Sequence, residues 1–191
     1  MSQNDGQGLI CEAVLPLRWQ EENAVPGEEE LALFDARNQE VLKIIYALDE
    51  QLPDGVDEQH GATPDLAAVE FKLNLLFDLV SQLLSHYAPL PPPRASKLSA
   101  GGLEWRDVES LAIGTSLRVE LYLSGRYPRP LTLFGLVQSV IPVAGGMQIT
   151  LQFYGMGAST REWLEKMIFR HHRRSVAYAR RGIGHDERPA K

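Results

Sequence analysis

One cysteine, Cys11, is too few for an internal disulfide, and no second thiol or clustered histidine stands near it to share a metal. Disulfide-built and zinc-built folds are therefore set aside, and a reducing compartment suits the composition. No apolar run approaches the ~18 residues that a membrane-spanning helix requires. The opening MSQNDGQGLICEAV has neither the basic start nor the apolar core of an export signal. The expectation is a cytoplasmic protein without a membrane span. Also missing is any catalytic grouping: Ser99 has no base beside it in the chain. His171 and His172, as helix neighbours, point about 100° apart and cannot chelate one metal. No catalytic residue, metal or cofactor is assigned, and the protein is read as a non-enzyme.

Charge is present but unevenly spread. The net value of −6 conceals an acidic stretch from Gln20 to His60, where twelve Asp and Glu face only Arg37 and Lys43. From Ser159 to Lys191 nine Lys and Arg face four Asp and Glu. A uniform basic footprint is absent, so a nucleic-acid polymer is not an expected partner. A chain of 191 residues with 44% hydrophobic content holds one core and a sizeable appendage.

Two periods divide the chain. Leu31, Phe34, Asn38, Val41, Ile45, Leu48 and Leu52 step by three and four, and Pro53-Asp54-Gly55 stops the run. After Pro64-Asp65 the pattern resumes at Leu66, Val69, Leu73, Leu76, Val80, Leu83 and Tyr87. Two helices with apolar a and d positions over three heptads read as a coiled coil or helical bundle. Apolar Phe71, Leu75, Phe77 and Leu79 lie outside that seam, giving more greasy surface than one hairpin partner can bury, so both stripes are assigned to homo-oligomerisation. Asn38 at an a position is the kind of residue that sets register. The competing reading is a helical layer over a sheet of the same subunit.

PLPPPR, residues 89–94, is a stiff connector. Beyond it the period becomes two. In 116–123, Leu117, Val119, Leu121 and Leu123 share a face, and 131–143 and 147–155 alternate likewise. Leu9 to Gln20 reads as another strand, with Pro16 at an edge or bulge. Short strands separated by glycine turns predict a small antiparallel barrel. Ser159 or Thr160 caps a final helix with one apolar and one basic face. Trp105 and Trp163 are assigned to packing, and Glu104, Asp107 and Glu109 to a solvated loop.

The turn Lys97-Leu98-Ser99-Ala100-Gly101-Gly102 carries a resemblance. With the strand order and the terminal basic helix, residues 94–181 resemble a PilZ domain. That family holds cyclic di-GMP with an Arg-x-x-x-Arg before the barrel and an Asp/Asn-x-Ser-x-x-Gly at its first strand. Ser99 and Gly102 match the second motif, whereas Lys97 replaces its hydrogen-bond acceptor with three donors. No Arg-x-x-x-Arg precedes the barrel; Arg170 and Arg174 have the spacing but follow it. Two missing guanidinium forks, at ~1–3 kcal/mol each, weaken binding by a few orders of magnitude. The degenerate ligand set is thus Lys97, Ser99, Gly102, Arg170 and Arg174.

The two heptad helices resemble an atypical, tetramer-forming branch of the family. The resemblance implies an α+β fold, a small antiparallel PilZ-like β-barrel with two long heptad-repeat helices inserted and a C-terminal helix. Its divisions are 1–22 (a barrel strand), 28–88 (the oligomerising hairpin), 94–158 (barrel), 159–182 (basic helix) and 183–191 (disordered tail). It further implies a tetrameric adaptor in bacterial cyclic di-GMP signalling of motility or virulence, working through a protein partner. The alternative is a direct cyclic di-GMP receptor with a rearranged site.

Overall fold

A computed structural model describes residues 9–50, 64–87, 89–125 and 127–183, with side chains at all of these except 50, 64–67, 70, 84, 85, 87 and 174–183. Six strands, β1 (Cys11–Glu21), β2 (Pro93–Leu98), β3 (Gly102–Asp107), β4 (Ser116–Leu121), β5 (Leu131–Val143) and β6 (Gly146–Tyr154), form a closed barrel. Its order is β1-β2-β3-β6-β5-β4 and every pairing is antiparallel. Closure leaves no unpaired strand edge. The N-terminal strand completes the ring. Its first half, Cys11 to Pro16, pairs with β2, and its second half, Leu17 to Glu21, pairs with β4. Pro16, which has no N–H to give, sits where the partner changes.

Alternation puts Leu117, Val119 and Leu121 of β4 inside, where Leu17, Leu131, Ile149 and Leu151 are also fully buried. Trp105 completes that layer at 1% exposure, as its assignment to packing required. Two helices cover the barrel. The first, α1 (Glu28–Glu50), opens on Glu28, Glu29 and Glu30, where negative charge suits the helix dipole. The last, α3 (Ala158–Ile183), sends Leu164, Met167 and Ile168 into the core. Between them in sequence lies α2 (Pro64–Tyr87).

The heptad stripe of α1 faces its own subunit. Val41, Leu42 and Ile45 are part of the barrel core, and Leu48 is buried. Phe34 meets the ring of Phe134 edge-on at 5.3 Å, and Leu31 packs against Gly155. Asn38 is clipped to the backbone of β5: its amide donates to the Thr132 carbonyl at 2.7 Å and accepts from the Thr132 N–H at 2.8 Å. That differs from the intersubunit seam assigned to Leu31, Phe34, Asn38, Val41, Ile45 and Leu48. The reason is geometric, because a helix laid on a barrel needs the same three-four ridge as a coiled coil. Leu52 falls outside the described residues. Asn38→Ala should cost about 1–3 kcal/mol, since the half-buried Thr132 loses the partner of both its N–H and its carbonyl. Thermal melts should record that loss, and the molar mass in solution should stay as in the parent.

Asp35 also anchors the start of α3. Its Oδ1 accepts from the Gly157 N–H at 2.9 Å, and its carbonyl accepts from the Thr160 hydroxyl at 3.3 Å. The first helical bond runs from Arg161 N–H to the Gly157 carbonyl, so the cap expected at Ser159 or Thr160 falls two or three residues earlier, at Gly157. Thr160 is buried against α1.

Candidate functional site

The Ser99–Gly102 turn is closed upon itself. The Ser99 N–H donates to the Gly102 carbonyl at 2.9 Å, while Ser99 Oγ accepts from the N–H groups of Gly102 at 3.1 Å and Gly101 at 3.3 Å. The Gly101 carbonyl accepts from Phe153 N–H, and the Ala100 carbonyl from the Arg161 guanidinium at 3.1 Å. Neither Gly101 nor Gly102 has positive φ. Gly102 is required for another reason: a Cβ there would press into the Leu151 carbonyl of β6. The matched motif residues therefore shape the backbone, and their polar groups already have partners.

Lys97 stands on the outer wall of the barrel, beside a cleft lined by Glu12, Ala95, Glu104, Arg106 and Gln148. Its Nζ lies 3.6 Å from both Glu12 and Glu104. Glu104 is its direct cross-strand neighbour, placed there by the tight β2–β3 turn. An anionic ligand approaching Lys97 meets two carboxylates as well. Arg170 does not line this wall. It bonds the Tyr46 carbonyl at 2.9 Å and lies over the Tyr46 ring at 3.8 Å, joining α3 to α1. Lys97, Ser99 and Gly102 are thus brought together, and Arg170 is held elsewhere. The side chain of Arg174 lies outside the described residues.

The residue missed by sequence reading is Asp107, which is 5% exposed and no part of a solvated loop. Its Oδ2 accepts from Trp19 Nε1 at 2.7 Å and Trp105 Nε1 at 3.2 Å, and it pairs with Arg94. Oδ1 receives the Val108 N–H at 2.8 Å. Burial pushes this carboxyl up; the hydrogen bonds from Arg94, Trp19 and Trp105 and the guanidinium charge outweigh it, holding the group far below the usual carboxylate range. A hairpin register with Ser96 opposite Trp105 already places position 94 opposite 107, which is the signal that could have found the pair. The arginine at the barrel's entrance is consequently committed to a fold contact. Cys11 is equally internal: its Sγ is 3.2 Å from His171 Nδ1, and burial raises its thiol above the usual value.

The second candidate surface is α2. Val69, Leu73, Leu76, Val80 and Leu83 are all exposed, as are Phe71, Leu75, Phe77 and Leu79. Ser81 is buried and Asn74 half-buried. This inverts the pattern of a helix packed within one subunit, where the apolar face turns inward. The side chains of Leu66 and Tyr87, also assigned to the seam, lie outside the described residues. Among the described residues no helix is long and apolar enough to span a membrane, and no group of three His, Cys, Asp or Glu side chains could hold a metal ion.

A family model described as an atypical PilZ domain, cyclic di-GMP receptor, matches residues 42–181. No curated protein matches the sequence. Among solved structures, a pathogenic protein from Xanthomonas campestris, described as a tetrameric PilZ domain self-assembled via an unusual helical bundle, is 21% identical. It aligns over 90% of this chain and 92% of that one, with a TM-score of 0.72. An inhibitor of motility from Bacillus subtilis is 23% identical over 42% of this chain and 41% of its own, with a TM-score of 0.36, too low to bear on the fold.

Proposed function

The chain belongs to the atypical PilZ domain family, and on that premise we propose that it is a non-enzymatic, self-associating adaptor in bacterial cyclic di-GMP-linked regulation of motility or virulence. The assembly element is α2. One observation carries the reading: the apolar residues of α2, which cover all of the helix but the stripe of Asn74, Asp78 and Ser81, stand in water when the subunit is alone. Nine large hydrophobic side chains from Val69 to Leu83 are between 42% and 69% exposed. At roughly 25 cal/mol per Å² of apolar surface removed from water, covering them is a strong drive to association. Because the e and g positions Phe77 and Leu79 are apolar along with a and d, the contact is wider than a two-stranded seam needs. A bundle of four suits that width, and the Xanthomonas relative, a tetramer built on a helical bundle, supports the same number.

The barrel serves this adaptor as a rigid body, with degenerate nucleotide chemistry. Lys97 is matched to two glutamates, Arg94 is tied to Asp107, and Ser99 closes its own turn. Isothermal titration of the full chain with cyclic di-GMP should therefore give no saturable heat at micromolar ligand. Saturation there would replace the adaptor with the direct receptor.

A further inference from the structure

We propose that the seam between α1 and α3 is a docking surface for an acidic segment of a partner protein. The two helices run side by side in the same direction, joined at Gln39–Ser159, Tyr46–Trp163 and Tyr46–Arg170. Along the seam four cations gather around aromatic faces. Lys43 and Lys166 lie 6.0 and 4.8 Å from the centre of the Trp163 ring, Arg170 covers Tyr46, and Arg173 lies 6.0 Å from Phe169. Carboxylates also stand near these cations: Glu162 pairs with Lys166 at 2.8 Å, Glu40 lies one turn before Lys43, Glu165 adjoins Lys166 in sequence, and Asp49 lies one turn beyond Tyr46. Lys43 and Arg173 are exposed, and among the described residues neither has a carboxylate partner.

A cation resting on a ring is held in place yet keeps its hydrogen-bonding capacity for an incoming anion. Lys43 and Arg173 thus keep their charge for an incoming anion, and Lys166, ion-paired with Glu162, joins that short row by exchanging the glutamate for a carboxylate of the partner. Its extent, a few helical turns, suits carboxylates on one peptide segment. A nucleic acid demands a broader basic field, and the −6 net charge with Glu28, Glu29 and Glu30 at the head of α1 opposes one. Carboxylates pairing with such a row supply orientation and association rate. The inference builds on the adaptor reading in supplying its partner's chemistry.

The probe is a short fluorescein-labelled helical peptide of glutamate and leucine, titrated with the full chain at low salt and followed by anisotropy. Saturable binding is expected, weakened about tenfold or more by Lys43→Glu with Lys166→Glu and also by Arg173→Glu. Arg106→Glu, on the barrel wall, should leave it unchanged, and a glutamine version of the peptide should not bind. Arg170 is left intact because it ties α3 to α1. Absence of saturation, equal weakening by Arg106→Glu, or tighter binding of a duplex oligonucleotide would overturn the assignment. So would a changed molar mass in the Lys43 and Lys166 variant, which would make the seam an interface between copies. A parallel cyclic di-GMP titration separates the two failures: heat from the nucleotide with peptide binding intact defeats only the adaptor, whereas silence from both ligands defeats only the seam.

Discussion

Leu76→Asp is expected to reduce the assembled particle to single 21.3-kDa chains. Leu76 is 57% exposed in the isolated subunit and lies midway along the α2 stripe. Burying one leucine contributes about 1.5–3 kcal/mol, and the substitution removes that from every subunit at once. It also sets like charges facing one another in an apolar interior, where desolvation costs several kcal/mol per ion. A repeated loss of this size exceeds what most bundles can absorb. Light scattering reads the mass directly, and Leu73→Asp should behave alike. Near-ultraviolet circular dichroism from the core Trp105 should persist, because among the described residues no α2 side chain belongs to the barrel core. Far-ultraviolet helicity should fall, since a lone helix of this length is marginal in water. Val14→Asp, at a barrel-wall residue of 67% exposure, is the matched control and should leave the mass unaltered. An unchanged mass in Leu76→Asp would remove α2 from the assembly.

The second large effect belongs to Asp107. Asp107→Ala strips the partner from Arg94 and from two indole N–H groups, one on β1 and one on β3. Removing one member of a buried ion pair costs about 3–5 kcal/mol, enough to unfold many domains of this size. The pH dependence carries the same information. The carboxyl titrates lower in the folded chain than in the unfolded one, so its stabilisation is fully present above the ordinary aspartate value of about 3.9 and is lost as pH falls below it. Denaturant midpoints between neutral pH and pH about 3 should therefore drop more steeply for the parent than for Asp107→Asn, which has no proton to take up. Parallel slopes would mean that the carboxylate contributes little. Since the partners of Asp107 are Arg94, Trp19 and Trp105 of the barrel, oligomer mass should remain unaffected in any variant that folds.

The barrel was legible because alternation is a local signal. Leu117, Val119 and Leu121 declared their face with no knowledge of the partner strand. The glycine turn was legible as a shape and illegible as a reason, because the demand on Gly102 comes from a carbonyl on β6, remote in sequence. The ridge of α1 shows a different limit. Three-four spacing records that a helix buries one face and says nothing of what lies opposite, so Asn38 fitted a coiled-coil a position as well as it fits the β5 backbone. The two stripes read alike in sequence, and exposure in the folded subunit separates the two helices. Asp107 was obscured by composition: flanked by Val108, Glu109 and Ser110, it reads as surface until the hairpin register sets it across from Arg94. Lys97 and Glu104, by contrast, are paired by that same register only two steps beyond the turn's closing residues.

The molar mass of the unmodified chain at micromolar concentration, taken by native mass spectrometry, bears most directly on whether α2 is covered by its own kind. The expected value is about four times 21.3 kDa. A species of 21.3 kDa that persists on raising the concentration would contradict it, and the exposed leucines of α2 would then need another occupant.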